Sequence, residues 1–226
     1  MANKEHLKIL DQGIDFWNSW REKNPEIKPN LSGANLSNQN LHRVNFRRVN
    51  LSKAYLISSK LIQANLTGAN LSRANLSRSI LVSSDIAEAN LCKANLNEAN
   101  LFQANLMVTD LSEADLSQAD LSEVNFSGAL LISADLSRAN LAKSNLSRTD
   151  LRKAILNRTN LSETLLIQTN FEGANFSDCT VYGISAWDLK LTDSIQRSFK
   201  ISRFNQPVVT VDNLEVAQFI YLLLNN

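Results

Sequence analysis

Residues 64–78 read Ala64-Asn65-Leu66-Thr67-Gly68, Ala69-Asn70-Leu71-Ser72-Arg73, Ala74-Asn75-Leu76-Ser77-Arg78, one five-residue phrase three times over. The phrase extends far in both directions. Leu31 begins a series at every fifth position that ends at Phe176, and all thirty positions are Leu, Phe or Ile. Twenty-five are Leu; the exceptions are Phe46, Ile86, Phe126, Phe171 and Phe176. Two residues before each of these centres sits a small residue, Ala at sixteen positions and Ser, Thr or Val at twelve, with only Pro29 and Gln39 departing. Asn or Asp directly precedes twenty-four centres; Tyr55, Lys60, Ile80, Leu130, Ile155 and Leu165 precede the other six. Ser often follows the centre, and the residue after that is variable and mostly polar.

Neither regular period explains this spacing. A helix needs apolar residues about every 3.6 positions and a strand every 2. A period of five would smear the leucines around a helix and alternate them across a flat strand. It fits a chain that turns a corner every five residues, so that four pentapeptides close one coil. The small residue and the centre then share a narrow interior that admits one large and one small side chain per side. Asn and Asp suit corners, because their side chains bond nearby backbone and tolerate unusual φ. Gly33, Gly68, Gly128 and Gly173 occupy the variable outward position, also near corners.

These residues resemble the pentapeptide-repeat family, in the plain form Ala69-Asn70-Leu71-Ser72-Arg73, over residues 30–178 without an insertion. The resemblance implies an all-β solenoid, a right-handed quadrilateral β-helix of bacterial type. Thirty repeats make about 7.5 coils, roughly 36 Å tall at the strand spacing of about 4.8 Å. Stability in such a stack is nearly one-dimensional, summed over neighbouring coils.

Open solenoid ends expose a Leu-lined cross-section and unpaired backbone, so caps are expected. Residues 1–29 are read as an N-terminal helical cap: residues 3–23 look helical, with Leu7, Leu10, Ile14 and Trp17 on one face, and Pro25 and Pro29 end the helix. Residues 179–226 are read as a small mixed C-terminal cap and interaction segment ending in an α-helix. There Val181, Ala186 and Leu191 keep the five-residue spacing loosely, and Ser198–Ile201 and Pro207–Val211 read as short strands. Asp212 reads as the cap of the terminal helix, with Glu215 completing a capping box. That helix is apolar nearly all round, more than one solenoid end can cover. Phe219, Ile220, Leu223 and Leu224 are the candidate self-association residues, to be covered by a homodimer partner or a downstream domain.

The formal net charge of +1 argues against a general binder of nucleic acid or membrane surfaces. No apolar run is long enough to cross a bilayer, and the start lacks a signal-peptide core, so the default compartment is the cytoplasm. Cys92 and Cys179 lie more than four coils apart and cannot bridge. Cys92 points outward and Cys179 occupies a small inward position. His6 and His42 are the only histidines, neither at metal-ligand spacing, and the abundant Asp residues read as corner residues. No catalytic residue, metal site or cofactor is expected.

Charge is banded along the tower. Residues 43–78 hold seven bases and no acid, residues 85–135 hold nine acids against Lys93, and residues 138–158 hold six bases against Asp150. Some proteins of the resembled family mimic duplex DNA with a uniformly acidic surface and bind topoisomerase; one acidic band and no inserted loop make that the alternative here. Ile62, Val82 and Phe102 follow their centres at intervals of twenty residues, so they stack on one face, with Ile80 beside them. Such a patch is a candidate partner contact. The expected function is a non-catalytic scaffold or protein–protein interaction module with an unidentified protein partner.

Overall fold

A computed structural model describes residues 1–202 and 208–225, and their side chains except those of 224 and 225. From Asn30 to Lys200 every fifth residue pairs in parallel with the residue twenty positions on, beginning with Asn30 to Asn50 and closing with Thr180 to Lys200. Four five-residue sides therefore make each rung of a β-helix solenoid. The ladder runs past Asp178, where the sequence motif fades, and adds a rung that contains Val181 and Ala186.

One side shows why the phrase has the letters it has. The Leu71 N–H donates to Asn90 O (2.7 Å) and the Arg73 N–H to Cys92 O (2.9 Å), both on the following rung. The Asn75 N–H donates to Ala54 O on the preceding rung (2.9 Å), and the Ala74 N–H closes a turn on Leu71 O (2.9 Å). The Ser72 N–H is left over, and the Asn70 side chain takes it through Oδ1 (3.0 Å). Every main-chain donor is thus used, as a stacked backbone requires. Centres and small residues face inward and are almost fully buried. Where the small residue is Ser or Thr its hydroxyl also finds a carbonyl, as in Ser79 Oγ to Leu76 O (2.6 Å) and Thr109 Oγ1 to Ile86 O (3.0 Å).

The corner is made by a different residue from the one expected. Asn and Asp do bond nearby backbone, but the left-handed conformation falls on the variable residue two after each centre. It recurs there from Gly33 (φ 68°) to Ser198 (φ 55°). The turn closes from the centre carbonyl to the N–H three residues on, and its third residue is left-handed, as a type II turn requires. Val108 (φ 56°) is the one apolar, β-branched residue in that column among the described residues, and it is 60% exposed. A β-branched side chain is strained there. Val108→Gly should therefore raise stability by about 1 kcal/mol, less than the full strain because glycine gains freedom in the unfolded chain. Urea unfolding of both proteins checks this; a loss of stability would show that Val108 packs more than it strains.

The N-terminal cap is two helices rather than one: α1 (Lys4–Leu10) and α2 (Ile14–Lys23), broken at Gly13, whose φ of 107° disfavours any other residue. Asn3 caps α1, its side chain accepting the Glu5 N–H (2.8 Å). The cap replaces a missing rung. Trp17 is fully buried, donates Nε1–H to Asn45 O (2.8 Å) and meets the Phe46 ring edge-on. Asn18 clamps the same strand, donating to Arg43 O (3.0 Å) and accepting the Asn45 N–H (2.8 Å). Arg21 donates to Ile27 O and Arg47 O. Burial, and after it the charge of Arg47, pushes the Arg21 guanidinium below its ordinary pKa.

At the other end lie β1 (Leu165–Ile167) and β2 (Ser185–Trp187), paired in parallel, and β3 (Phe199–Lys200) and β4 (Thr210–Val211), paired antiparallel. The expected strands are thus realised as two-residue pieces, and Pro207 lies outside the described residues. The interior widens to aromatics here, with Phe171 stacked on Phe176 (5.0 Å) and Phe176 against Phe199 (5.2 Å). The terminal helix α3 spans Leu214–Asn225. The expected capping box is absent. Asn213 is the cap, accepting the Val216 N–H (3.0 Å), and Asp212 accepts the Ser198 N–H at the tower end (2.7 Å).

Candidate interaction surfaces

Position 80 pairs with 60 and with 100, which puts Ile62, Val82 and Phe102 in one outward column with Ile80 alongside. All four are half-buried, since each leans on the rungs beside it. Around the next corner Met107 and Val108 are exposed, as is Leu130 one rung further on.

The outward apolar residues follow a rule that the sequence also carries. Ile or Val follows a centre at positions 57, 62, 82, 132 and 167, and in each case the residue before that centre is one of the six that are not Asn or Asp. The sixth case is Asn157, after Ile155. Without the Asn or Asp acceptor the N–H after the centre loses its side-chain partner, and the two outward residues of that side become an apolar or mixed pair. Ile57, Ile132 and Ile167 each stand on such a side. Two successive rungs lack the acceptor at Leu165 and Ser185, where the side lengthens into the three-residue pair of β1 and β2, and at Lys60 and Ile80, where it keeps the single bridge.

Helix α3 buries Leu214, Ala217 and Gln218 against the last rung. The Gln218 side chain accepts the Ala186 N–H (2.7 Å), and the Leu214 N–H donates to Gln196 Oε1 (3.0 Å). Of the candidate self-association residues, Ile220 packs half-buried against the core. Phe219 (61% exposed) and Leu223 (64%) face away from the tower. Leu224's side chain lies outside the described residues. Val216 (45%) and Leu222 (42%) extend the outer face, and Trp187 on β2 is exposed nearby.

The acidic band is largely occupied. Asp85, Asp110, Asp115, Asp120 and Asp135 each accept the N–H two residues on. Glu98 pairs with Arg78 (3.0 Å), which joins the basic band to the acidic one along a corner, and Glu113 pairs with Lys93 within the acidic band (3.2 Å). Glu123 accepts from Gln103 (2.8 Å). Cys92 is half-buried, and its thiol is raised above its ordinary pKa by burial first and by Asp110 and Glu113 next. Cys179 is buried, donates to Leu156 O, and is pushed up to about 12 by burial. His42 is exposed, and among the described residues no group of three His, Cys, Asp or Glu could hold a metal. No helix among them is long and apolar enough to cross a membrane.

Among solved structures the chain is similar to HetL, a pentapeptide repeat protein involved in heterocyst differentiation regulation from the cyanobacterium Nostoc sp. strain PCC 7120. Identity is 24%, coverage 80% of this chain and 95% of that one, and the TM-score 0.36. It is also similar to QnrB1, a plasmid-mediated fluoroquinolone resistance protein, with 14% identity, 73% and 91% coverage and a TM-score of 0.37. Another pentapeptide repeat protein of Nostoc PCC 7120 is 45% identical over 39% of this chain and 69% of that one, with a TM-score of 0.30. With TM-scores this low, none of these likenesses bears on what this chain binds. Among curated proteins none matches this sequence. The family model for pentapeptide repeats matches in eight copies, over residues 30–68, 69–106, 109–148 and 144–181. With that match over most of its length, and with a twenty-residue rung built from its own phrase, the chain belongs to the pentapeptide repeat family.

Proposed function

We propose that this protein is a non-catalytic scaffold and protein–protein interaction module, a right-handed four-sided tower that self-associates through the outer face of α3. The observation that carries the reading is the exposed row Val216, Phe219 and Leu223, with Leu222 at its edge and Trp187 nearby. Exposed Glu215 flanks that row in the first turn and is the one charged residue of α3, so a second copy of the same face is its natural cover, in the self-complementary manner of a two-fold contact. The apolar column of Ile62, Ile80, Val82 and Phe102 is a second contact, for a different protein. Charge mimicry of DNA has less to rest on, because most carboxylates of the acidic band already accept main-chain N–H groups or pair with bases.

Light scattering tests the self-association. The full chain is expected to have twice the protomer mass, and a Phe219→Asp, Leu223→Asp double variant to be monomeric with an unchanged far-UV circular dichroism spectrum, because both side chains are mostly exposed on the outer face of α3. A monomer for both proteins at every concentration overturns this reading.

A further inference from the structure

We propose that the face bearing Ile62, Ile80, Val82 and Phe102 docks an acidic, apolar segment of another protein, which is held by main-chain N–H donors that this face leaves unpaired. The proposal rests on the interaction-module reading but not on self-association.

In a standard side the N–H after the centre points outward into the preceding Asn or Asp, as the Phe102 N–H does to Asn100 Oδ1 (3.0 Å). Lys60 and Ile80 supply no such acceptor. The N–H groups of Ile62 and Val82 accordingly have no partner among the described residues. The two are stacked on consecutive rungs, since Lys60 pairs with Ile80 and the Gln63 N–H donates to Val82 O (2.9 Å). The same gap occurs singly at Ile57, Ile132 and Asn157, and at Thr192 and Arg197 on the last rung. Two in succession, without conversion into a strand pair, occur on this face alone among the described residues.

The surroundings suit one kind of occupant. The corner column beside the patch is uncharged, with Gln63, Ser83 and Gln103. Lys60 is exposed and has no ion-pair partner among the described residues. Arg43 is held by Gln63 (2.9 Å), His42 is exposed, and on the far edge Glu98 is already engaged by Arg78. The first carboxylates on this face are Asp120 and Glu123, beyond Phe102. Donors, a free cation and half-buried apolar side chains call for acceptors alternating with apolar groups. An unpaired donor gains most from a charged acceptor.

The test uses the full chain, 15N-labelled, titrated with a synthetic peptide of alternating Leu and Glu. A peptide of alternating Leu and Lys serves as the control. The Ile62 and Val82 amide signals are expected to move with the first peptide and not with the second. Ile80→Asn rebuilds the missing acceptor. It should weaken binding about tenfold, slow hydrogen exchange at Val82, and leave the melting temperature unchanged or higher. Lys60→Asn does the same for Ile62 and stands in should the first variant not fold. Equal response to both peptides or to duplex DNA, no response at millimolar peptide, or undiminished binding by both variants would each overturn the proposal. So would a fall in melting temperature in both variants, which assigns the column to tower stability, or signals that move with protein concentration instead of peptide, which makes this face a contact between copies. The peptide outcomes leave the light-scattering result at α3 unaltered, and a contact between copies through this face would persist in the Phe219→Asp, Leu223→Asp variant, so the two readings fail separately.

Discussion

Trp17→Ala is expected to destabilise the protein by about 3–5 kcal/mol, the range for deleting a buried aromatic. Trp17 is fully buried, and it is the plug of the solenoid's first rung. Three losses coincide: the ring's contact with Phe46, the bond from Nε1 to Asn45 O, and the cover over the first leucines. An open rung end also carries unpaired backbone, so the variant should form larger species on a sizing column. Denaturant unfolding followed by far-UV circular dichroism measures the first effect. A loss below about 1 kcal/mol would mean that α1 and α2 rest on the tower without holding it.

Leu116→Ala, in mid-tower, is expected to cost about 2–5 kcal/mol. Leu116 is fully buried, with Leu96 one rung before it and Leu136 one rung after. The backbone around it is held by Leu116 N–H to Asp135 O (2.7 Å) and Leu96 N–H to Asp115 O (2.7 Å). That ladder keeps neighbouring rungs from closing on the cavity, so the cost should lie in the upper half of the range. The same substitution at Leu191, half-buried on the last rung, should cost less than half as much. Equal costs at the two sites would contradict a stability summed over neighbouring rungs. Urea midpoints of both variants decide it.

Much of the tower was legible because each position of the phrase has a single physical job. Inward centres and small residues were recognisable from volume alone, and so was the twenty-residue rung. The corner was assigned to the wrong residue because two features that usually coincide in Asn are separated here. The side chain that bonds the turn comes before the centre, and the left-handed backbone comes two residues after it. That column holds Arg, Lys, Glu and Gln as readily as Gly, so propensity offers no signal. The Asn213 cap was not legible for a related reason. Helix ends depend on which backbone groups the neighbouring rung can satisfy, and Asp212 is drawn off to Ser198.

The candidate surfaces divide in the same way. Stacking of Ile62, Val82 and Phe102 follows from period arithmetic, and so does their partnership with Ile80. Their half-burial, the outward aim of the Ile62 and Val82 N–H groups, and the absence of partners for both depend on the ladder. The α3 sequence shows an all-apolar helix but not which side meets the tower. That choice falls to Leu214 and Ala217, because the Gln218 side chain finds a donor and the Leu214 N–H an acceptor on the last rung.

The sequence by itself determined the period, the interior and the family, because a repeated five-residue pattern constrains every rung alike and its errors average out. Only the tertiary structure decided where the ladder ends, which residue turns each corner, and which donors and apolar faces remain free. Those features depend on pairing between residues twenty apart and on caps that occur once, for which no repeat supplies a template.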